Sequence, residues 1–259
     1  MFEIEFAKTV SEKKYNEDCL YCGQNFVMVF DGASGLDHAN RMDCGSDAKW
    51  FVEKMKDEII KHMDQTKNLK NIVKESLEQI IPLYPSVDMA SMPSGCLSLM
   101  RWNEKQIEYI GFGDSVCLIQ TKDQVECLYD HAIEKLDHKA MVAKNKGEDY
   151  LSILIKNRFL RNQKKGYCAL DLTLNSLDYC IEKQWKIEDV SSFVLMSDGM
   201  YQLKEFLKTD DAGLLKYILL HKEKALHNLF LFQEQDAQCI SVDRLKKRDD
   251  TTCLLVTNE

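Results

Sequence analysis

The sequence predicts an α+β domain built in layers, and three observations carry that reading. Strand-like segments cluster at the start, in the middle and at the end of the chain, instead of alternating one by one with helices. Two stretches of helical spacing, each with one apolar face, intervene early. The 3 prolines and 11 glycines are scattered among 259 residues without forming a linker, and 45% hydrophobic residues suffice for a sizeable core, so a single domain spanning 1–259 is expected.

The elements follow in order. Residues 1–31 contain three strand patterns, FEIEFAKTV, DCLYC and NFVMVF, separated by polar turns. From about Ser46 to Met63 the spacing is helical, with Phe51, Val52, Met55, Ile59 and Met63 on one face. A second helix carries Leu69, Ile72, Val73, Leu77, Ile80 and Ile81 until Pro82 stops it. Between Gly95 and Asp130 four short runs, CLSLMRW, IEYIGF, SVCLIQ and QVECLY, predict a meander of antiparallel strands, in which IEYIGFGDSVCLI reads as a hairpin. Residues 131–163 read as helical and rich in Lys and Asn, as a surface insertion would be. SLDYCIE and SFVLMS return to strand, residues 211–233 are helical with Leu214, Leu215, Ile218 and Leu219 in register, and TTCLLV closes as a strand.

Composition excludes several functions. A net charge of −8 argues against a general affinity for nucleic acid or anionic membranes, which relies on clustered Lys and Arg. The basic run Arg244, Lys246, Lys247 and Arg248 reads as solvated surface. No apolar run has the length of a membrane span, and MFEIEF carries Glu3 and Glu5 where a signal peptide is basic, so a cytoplasmic chain is expected. The ten cysteines sit mostly in apolar stretches, which suits buried thiols in a reducing compartment. CLYC at 19–22 is a CxxC without a second pair, and a strand would turn its two sulfurs to opposite faces.

The chemistry lies where apolar runs end in acids. VMVFDG ends in Asp31-Gly32, YIGFGDS in Gly113-Asp114 and VLMSDG in Asp198-Gly199, while Asp249-Asp250 precedes the last strand and Glu17-Asp18 opens an early one. Any one of these reads equally well as a turn or a helix cap. Together the turn reading weakens, because neither ASGL after Asp31-Gly32 nor MYQL after Asp198-Gly199 returns as a two-residue hairpin; Asp114 is the exception. Several carboxylates on one rim repel unless cations neutralise them. All the donors are oxygens, which selects Mg²⁺ or Mn²⁺ over zinc. Two such ions activating a shared water and holding a phosphoryl group make phosphate-ester hydrolysis chemistry.

The order Asn-Glu-Asp, strand-Asp-Gly, Gly-Asp-Ser, Ser-Asp-Gly and Asp-Asp before a last strand resembles the metal-dependent protein phosphatases, the type 2C-like family in its bacterial form, over nearly the whole chain. The resemblance implies a four-layer αββα sandwich, two antiparallel sheets each covered by helices. It implies that Asp31 bridges two Mg²⁺ or Mn²⁺ ions, that the Gly32 carbonyl binds one, and that Asp198 and Asp249 hold the other. Asp18 with Glu17 would act on the second ion through water, and Asp114 would bind a weaker third with Asp198. Asp249 is preferred to Asp250 because the family's ligand lies three residues before a Ser/Thr position, here Thr252; the chemistry does not distinguish them.

The chain also departs from the family pattern. Lys13 stands where many relatives place a phosphate-binding Arg, and it keeps the charge without the fork. Ala33 stands where a histidine acid can sit, and the lone His38 nearby fits surface or core as well as catalysis. A flap around 131–165 would set the substrate. The expected activity is hydrolysis of phosphoserine or phosphothreonine in proteins by metal-activated water at Asp31 and Asp198, in a monomer whose partners are phosphoprotein substrates and a cognate kinase. The alternatives are a catalytically weak phosphopeptide-binding module, motivated by Lys13 and Ala33, and a small-molecule phosphatase that differs only in the flap.

Overall fold

A computed structural model describes residues 2–258 apart from 245. Eleven strands among these residues form two antiparallel sheets. One contains β1 (Phe2–Val10), β11 (Thr251–Asn258), β10 (Val190–Met196), β6 (Val116–Thr121) and β7 (Val125–Leu128), in that order. The other runs β2 (Asp18–Cys22), β3 (Phe26–Ala33), β4 (Ser94–Trp102), β5 (Gln106–Phe112) and β9 (Ile181–Lys186), with the two-residue β8 (Leu170–Asp171) on β4.

The continuous apolar runs are strands buried on both faces. Along β3, Val27 and Val29 point between the sheets, where they meet Met100, Tyr109, Phe193, Leu254 and Val256. Met28 and Phe30 point the other way, into the layer of α1 (Asp47–His62) and α2 (Leu69–Ile80), against Phe51, Met55, Ile72 and Leu77. On the far side of the molecule, Val194, Met196, Cys253 and Leu255 pack under α5 (Asp198–Tyr201), α6 (Leu203–Leu207), α7 (Asp211–His221) and α8 (Glu223–Gln235). The result is helix, sheet, sheet, helix, as the resemblance implied. Helix α1 starts at Ser46, whose side chain accepts from the Lys49 N–H, and α2 starts at Asn68, which accepts from Asn71.

Three expectations need correction. The Gly95–Asp130 region is not one meander, because β4 and β5 pair in one sheet whereas β6 and β7 pair in the other. Gly113-Asp114 is therefore a crossover between sheets and no hairpin; Gly113 takes φ +74, and a Cβ there would lie 2.2 Å from the Cys96 sulfur. Residues 131–163 are helical as expected, in two helices, α3 (Ala132–Asn145) and α4 (Tyr150–Arg158), parted around Gly147 with φ +72. Residues 211–233 are likewise helical in two pieces, α7 and α8, parted at Lys222, which adopts φ 49. SLDYCIE is strand only from Ile181; Asn175–Asp178 is a 3₁₀ turn.

The reading of CLYC holds, with Cys19 buried and Cys22 exposed, and all ten cysteines are free. No helix among the described residues is long and apolar enough to cross a membrane.

Phe193 is fully buried between the sheets, with its ring 5.7 Å from Phe2 and 6.0 Å from Trp102. Phe193→Ala is expected to cost about 3–5 kcal/mol in urea unfolding, whereas Leu220→Ala, on a residue 71% exposed, changes stability by less than about 0.5 kcal/mol. A Phe193 loss below about 1 kcal/mol would mean the inter-sheet layer is not the core.

Candidate active site

Burial of both sheet faces leaves only strand ends for chemistry, and four acids meet at one end. Asp31 ends the apolar part of β3, Asp114 sits in the β5–β6 crossover, Asp198 follows β10, and Asp249 precedes β11. Strand pairing brings them together. Asp31 lies opposite Asp18 on β2 and Cys96 on β4. Met196 pairs with both Val116 and Cys253, which joins the ends of three strands. Hydroxyl groups fix this junction: Ser115 Oγ donates to the Met196 carbonyl at 3.3 Å, Ser98 Oγ to the Ser115 carbonyl at 2.8 Å, and Ser197 Oγ accepts from the Thr252 N–H at 2.9 Å. Gly199 is required here, because a Cβ would fall 2.2 Å from the Asp250 carbonyl oxygen.

The four acids line one cavity of about 510 Å³, together with Lys13, Glu17, Gly32, Arg158 and Lys246. Asp18 lies behind it, 5% exposed, bridging the sheets. Its Oδ2 accepts from Thr252 Oγ1 at 2.8 Å, while its buried Oδ1 has no partner. Glu17 Oε1 accepts from Ser34 Oγ at 2.7 Å, and the Glu17 carbonyl accepts from the Gly32 N–H at 3.1 Å.

The neighbouring acids part company. Asp249 faces the cavity, paired with Lys13 at 2.8 Å and Lys246 at 2.7 Å. Asp250 is buried and organises the 11–17 loop, accepting from Ser11 Oγ, Lys13 Nζ at 3.0 Å and the Glu17 N–H at 3.0 Å. The ambiguity between them is thus a difference of direction: the first opens to the cavity, and the second is spent on structure.

The electrostatics follow from this crowding. Burial, then the charges of Asp18, Asp198, Asp114 and Asp249, push the Asp31 carboxyl well above its ordinary range. Asp198 is raised by burial and by Asp249. Burial pushes Asp18 up to about 8 against the hydroxyls of Ser197 and Thr252, with Asp250 and Asp198 reinforcing it. In Asp249, burial is outweighed by Lys246 and Lys13, which hold it below the usual carboxylate range. Burial also opposes the Lys13 charge, but Asp249 and Asp250 more than offset it.

The donor set suits a hard divalent cation: oxygens only, mutually repelling, with one buried carboxylate oxygen orphaned. Among the described residues, however, no three His, Cys, Asp or Glu side chains are gathered as a ready-made ion site. The basic run read as solvated surface is corrected in part. Arg244 is buried on Asp236, and Lys246 reaches the cavity to pair with Asp249. Lys246 and Arg158 were missed because nothing local marks them; both are placed by long-range packing. His38 lies on the cavity rim.

No family model matches the sequence, and no curated protein matches it. Solved structures do. The Mycobacterium tuberculosis serine/threonine phosphatase PstP/Ppp superimposes with a TM-score of 0.60 at 13% identity, over 100% of this chain and 98% of that one. The fold is that of the bacterial serine/threonine phosphatases. Stp1 from Staphylococcus aureus gives a TM-score of 0.58 at 15% identity, over 100% and 94% of the two chains. The PstP catalytic domain in complex with two manganese ions gives 0.53 at 12%, over 99% and 97%.

The buried acids make the metal-free protein pH-sensitive. Asp18, Asp31 and Asp198 bind protons more tightly folded than unfolded, so stability is full below the unfolded carboxylate range near pH 4 and falls as pH rises toward about 8. Asp249 contributes with the opposite sign. Melting temperatures of chelator-treated protein should therefore drop between pH 5 and pH 8, and Asp18→Asn should flatten that slope. An identical slope in the variant contradicts the assignment.

Proposed function

We propose that the chain is a Mg²⁺- or Mn²⁺-dependent phosphatase acting on phosphoserine and phosphothreonine in proteins. One observation carries the reading: Asp31, Asp114, Asp198 and Asp249, from four separate segments, line a single cavity at the ends of the stacked sheets. The manganese complex of a phosphatase with the same fold supports the choice of ion.

In this reading Asp31, the Gly32 carbonyl, Asp198 and Asp249 hold two ions, Asp114 contributes to a weaker third, and Asp18 and Glu17 act from behind. Bound there, such ions supply Lewis acidity and lower the pKa of a water, which is the chemistry phosphate-ester hydrolysis needs. The chain's own residues do the rest. Ser197, Thr252 and Ser115 fix the strand ends that carry the carboxylates, and burial leaves Asp18 with little water to stabilise its charge, so a cation is the better partner. Lys13 and Lys246 restrain the excess negative charge that would repel a phosphate dianion. Ala33 offers no proton donor to the leaving group, and His38 is the titratable side chain on that rim.

A second reading, a phosphopeptide-binding module of low turnover, draws on the two lysines that engage Asp249 and on the absence among the described residues of a gathered three-donor cluster. Turnover separates the two.

With Mn²⁺, hydrolysis of p-nitrophenyl phosphate and of a phosphothreonine peptide is expected, lost on chelation and restored by metal. Asp31→Asn and Asp198→Asn should each lower kcat at least about a hundredfold. Metal-independent hydrolysis, or activity indifferent to both changes, refutes the enzyme. Asp249→Asn should lower kcat while leaving the melting temperature within a few degrees of wild type. Asp250→Asn should instead lower the melting temperature and raise proteolysis in the 11–17 loop, and the reverse pattern would exchange their roles.

A further inference from the structure

If the site handles phosphate esters, something must grip the phosphate oxygens. The position where relatives carry an arginine holds Lys13, and its ammonium is already shared among Asp249, Asp250 and Glu17. Its charge is matched by the acids around it, which leaves little for an incoming dianion.

Of the two other cations that line the cavity, Lys246 is paired with Asp249, and Arg158 comes from the 131–165 region. Arg158 is the last residue of α4, and its guanidinium donates Nη1 to Ser94 Oγ and Nη2 to the Ser34 carbonyl, both at 3.0 Å. These contacts pin it beside the metal-ligand strand end: Ser94 pairs with Ala33 in the β3–β4 ladder, and Ser34 lies three residues beyond Asp31. Both acceptors are neutral. The remaining described arginines each have a carboxylate: Arg41 has Asp37, Arg101 has Glu108, Arg161 has Asp171, Arg244 has Asp236 and Arg248 has Glu234. Among the described arginines Arg158 alone forms no ion pair. Burial, with Arg161 nearby, disfavours its charge, so a half-buried cation is held at the cavity wall by neutral partners and with no ion-pair partner among the described residues.

We propose that Arg158 is the phosphate-binding residue of this site, supplied by the flap in place of the early-loop arginine; the inference rests on the phosphatase reading. Of the five N–H donors of a guanidinium, two are used as anchors and hold the plane fixed. The others are free to form a two-pronged contact to a tetrahedral dianion. Neutral anchors suit this purpose, because they orient the group without cancelling its charge. The competing role is a latch that merely fastens the flap to β3 and β4.

The test is calorimetric titration of Mn²⁺-loaded protein with inorganic phosphate, alongside KM for p-nitrophenyl phosphate, in wild type, Arg158→Ala and Arg158→Lys. The Kd for phosphate should rise about tenfold or more in the alanine variant, with KM rising in parallel, and the lysine variant should recover only part of it because it lacks the fork. Limited trypsin digestion reports the latch independently. Phosphate affinity unchanged in Arg158→Ala, with cleavage in 131–167 accelerated, overturns the proposal. Turnover by wild type with Arg158-independent phosphate binding would leave the phosphatase reading standing and sink this one. Arg158-dependent phosphate binding without any turnover would do the opposite.

Discussion

Stacking two sheets so that both faces of each are covered leaves the molecule one place for charged groups to approach one another, the ends of the strands. Asp18, Asp31, Asp198 and Asp249 are held there by ladders of backbone hydrogen bonds whose register cannot yield, and behind the ladders lie fully buried side chains such as Phe30, Leu195 and Leu254. The repulsion among these acids cannot be relieved by moving apart. It is relieved by protonation, seen in the upward shifts of Asp18, Asp31 and Asp198, by the ammonium groups that draw Asp249 down, or by a cation of higher charge.

The same constraint explains why the acids do different work although they look alike in sequence. Asp250 and Asp249 are adjacent in the segment that leads into β11, and their side chains take different directions. One is therefore committed to Ser11, Lys13 and Glu17, fixing the loop that carries Glu17 and leads into Asp18, while the other opens into the cavity. Asp18 is opposite Asp31 in the ladder yet sits behind the cavity, because β2 lies next to β3 and its end is roofed by Thr252.

What the sequence made legible was local. Runs such as NFVMVF and FVLMS declare strands buried on both faces, and an acid directly after such a run is a strong signal because it has nowhere apolar to go. What it concealed was pairing. IEYIGFGDSVCLI has the appearance of a hairpin, since two strands around a glycine look the same whether they pair or part; only the partners β4 and β10 separate them into different sheets. Lys222 separates two helices with a positive φ that its neighbours do not announce, and Lys246 belongs to a basic run that reads as solvated surface because only long-range packing turns it toward Asp249. Arg158 carried no signal, for its importance lies in three segments far apart in the chain.

The flap is bound to the catalytic end at more than one point. Asp130 donates its N–H to the Gly113 carbonyl at 2.7 Å, and its carboxylate accepts from the Cys168 N–H at 2.6 Å, so both ends of the insertion are tied beside Asp114. Arg161 and Asn162 then fasten the far side of α4 to Asp171 at 2.9 and 3.0 Å. A side chain at the end of α4 is consequently as well located relative to β3 as one on the sheet itself, which is what a phosphate-gripping group needs. Lys13, on an early loop stitched to Asp249 and Asp250, has equal rigidity but the opposite electrostatic assignment: it tempers the acids. In this division the early loop balances the charge of the ligand set and the flap presents charge to the substrate. On the proposed assignment, Arg158 takes across the cavity the role that Lys13, matched by its acids, does not fill.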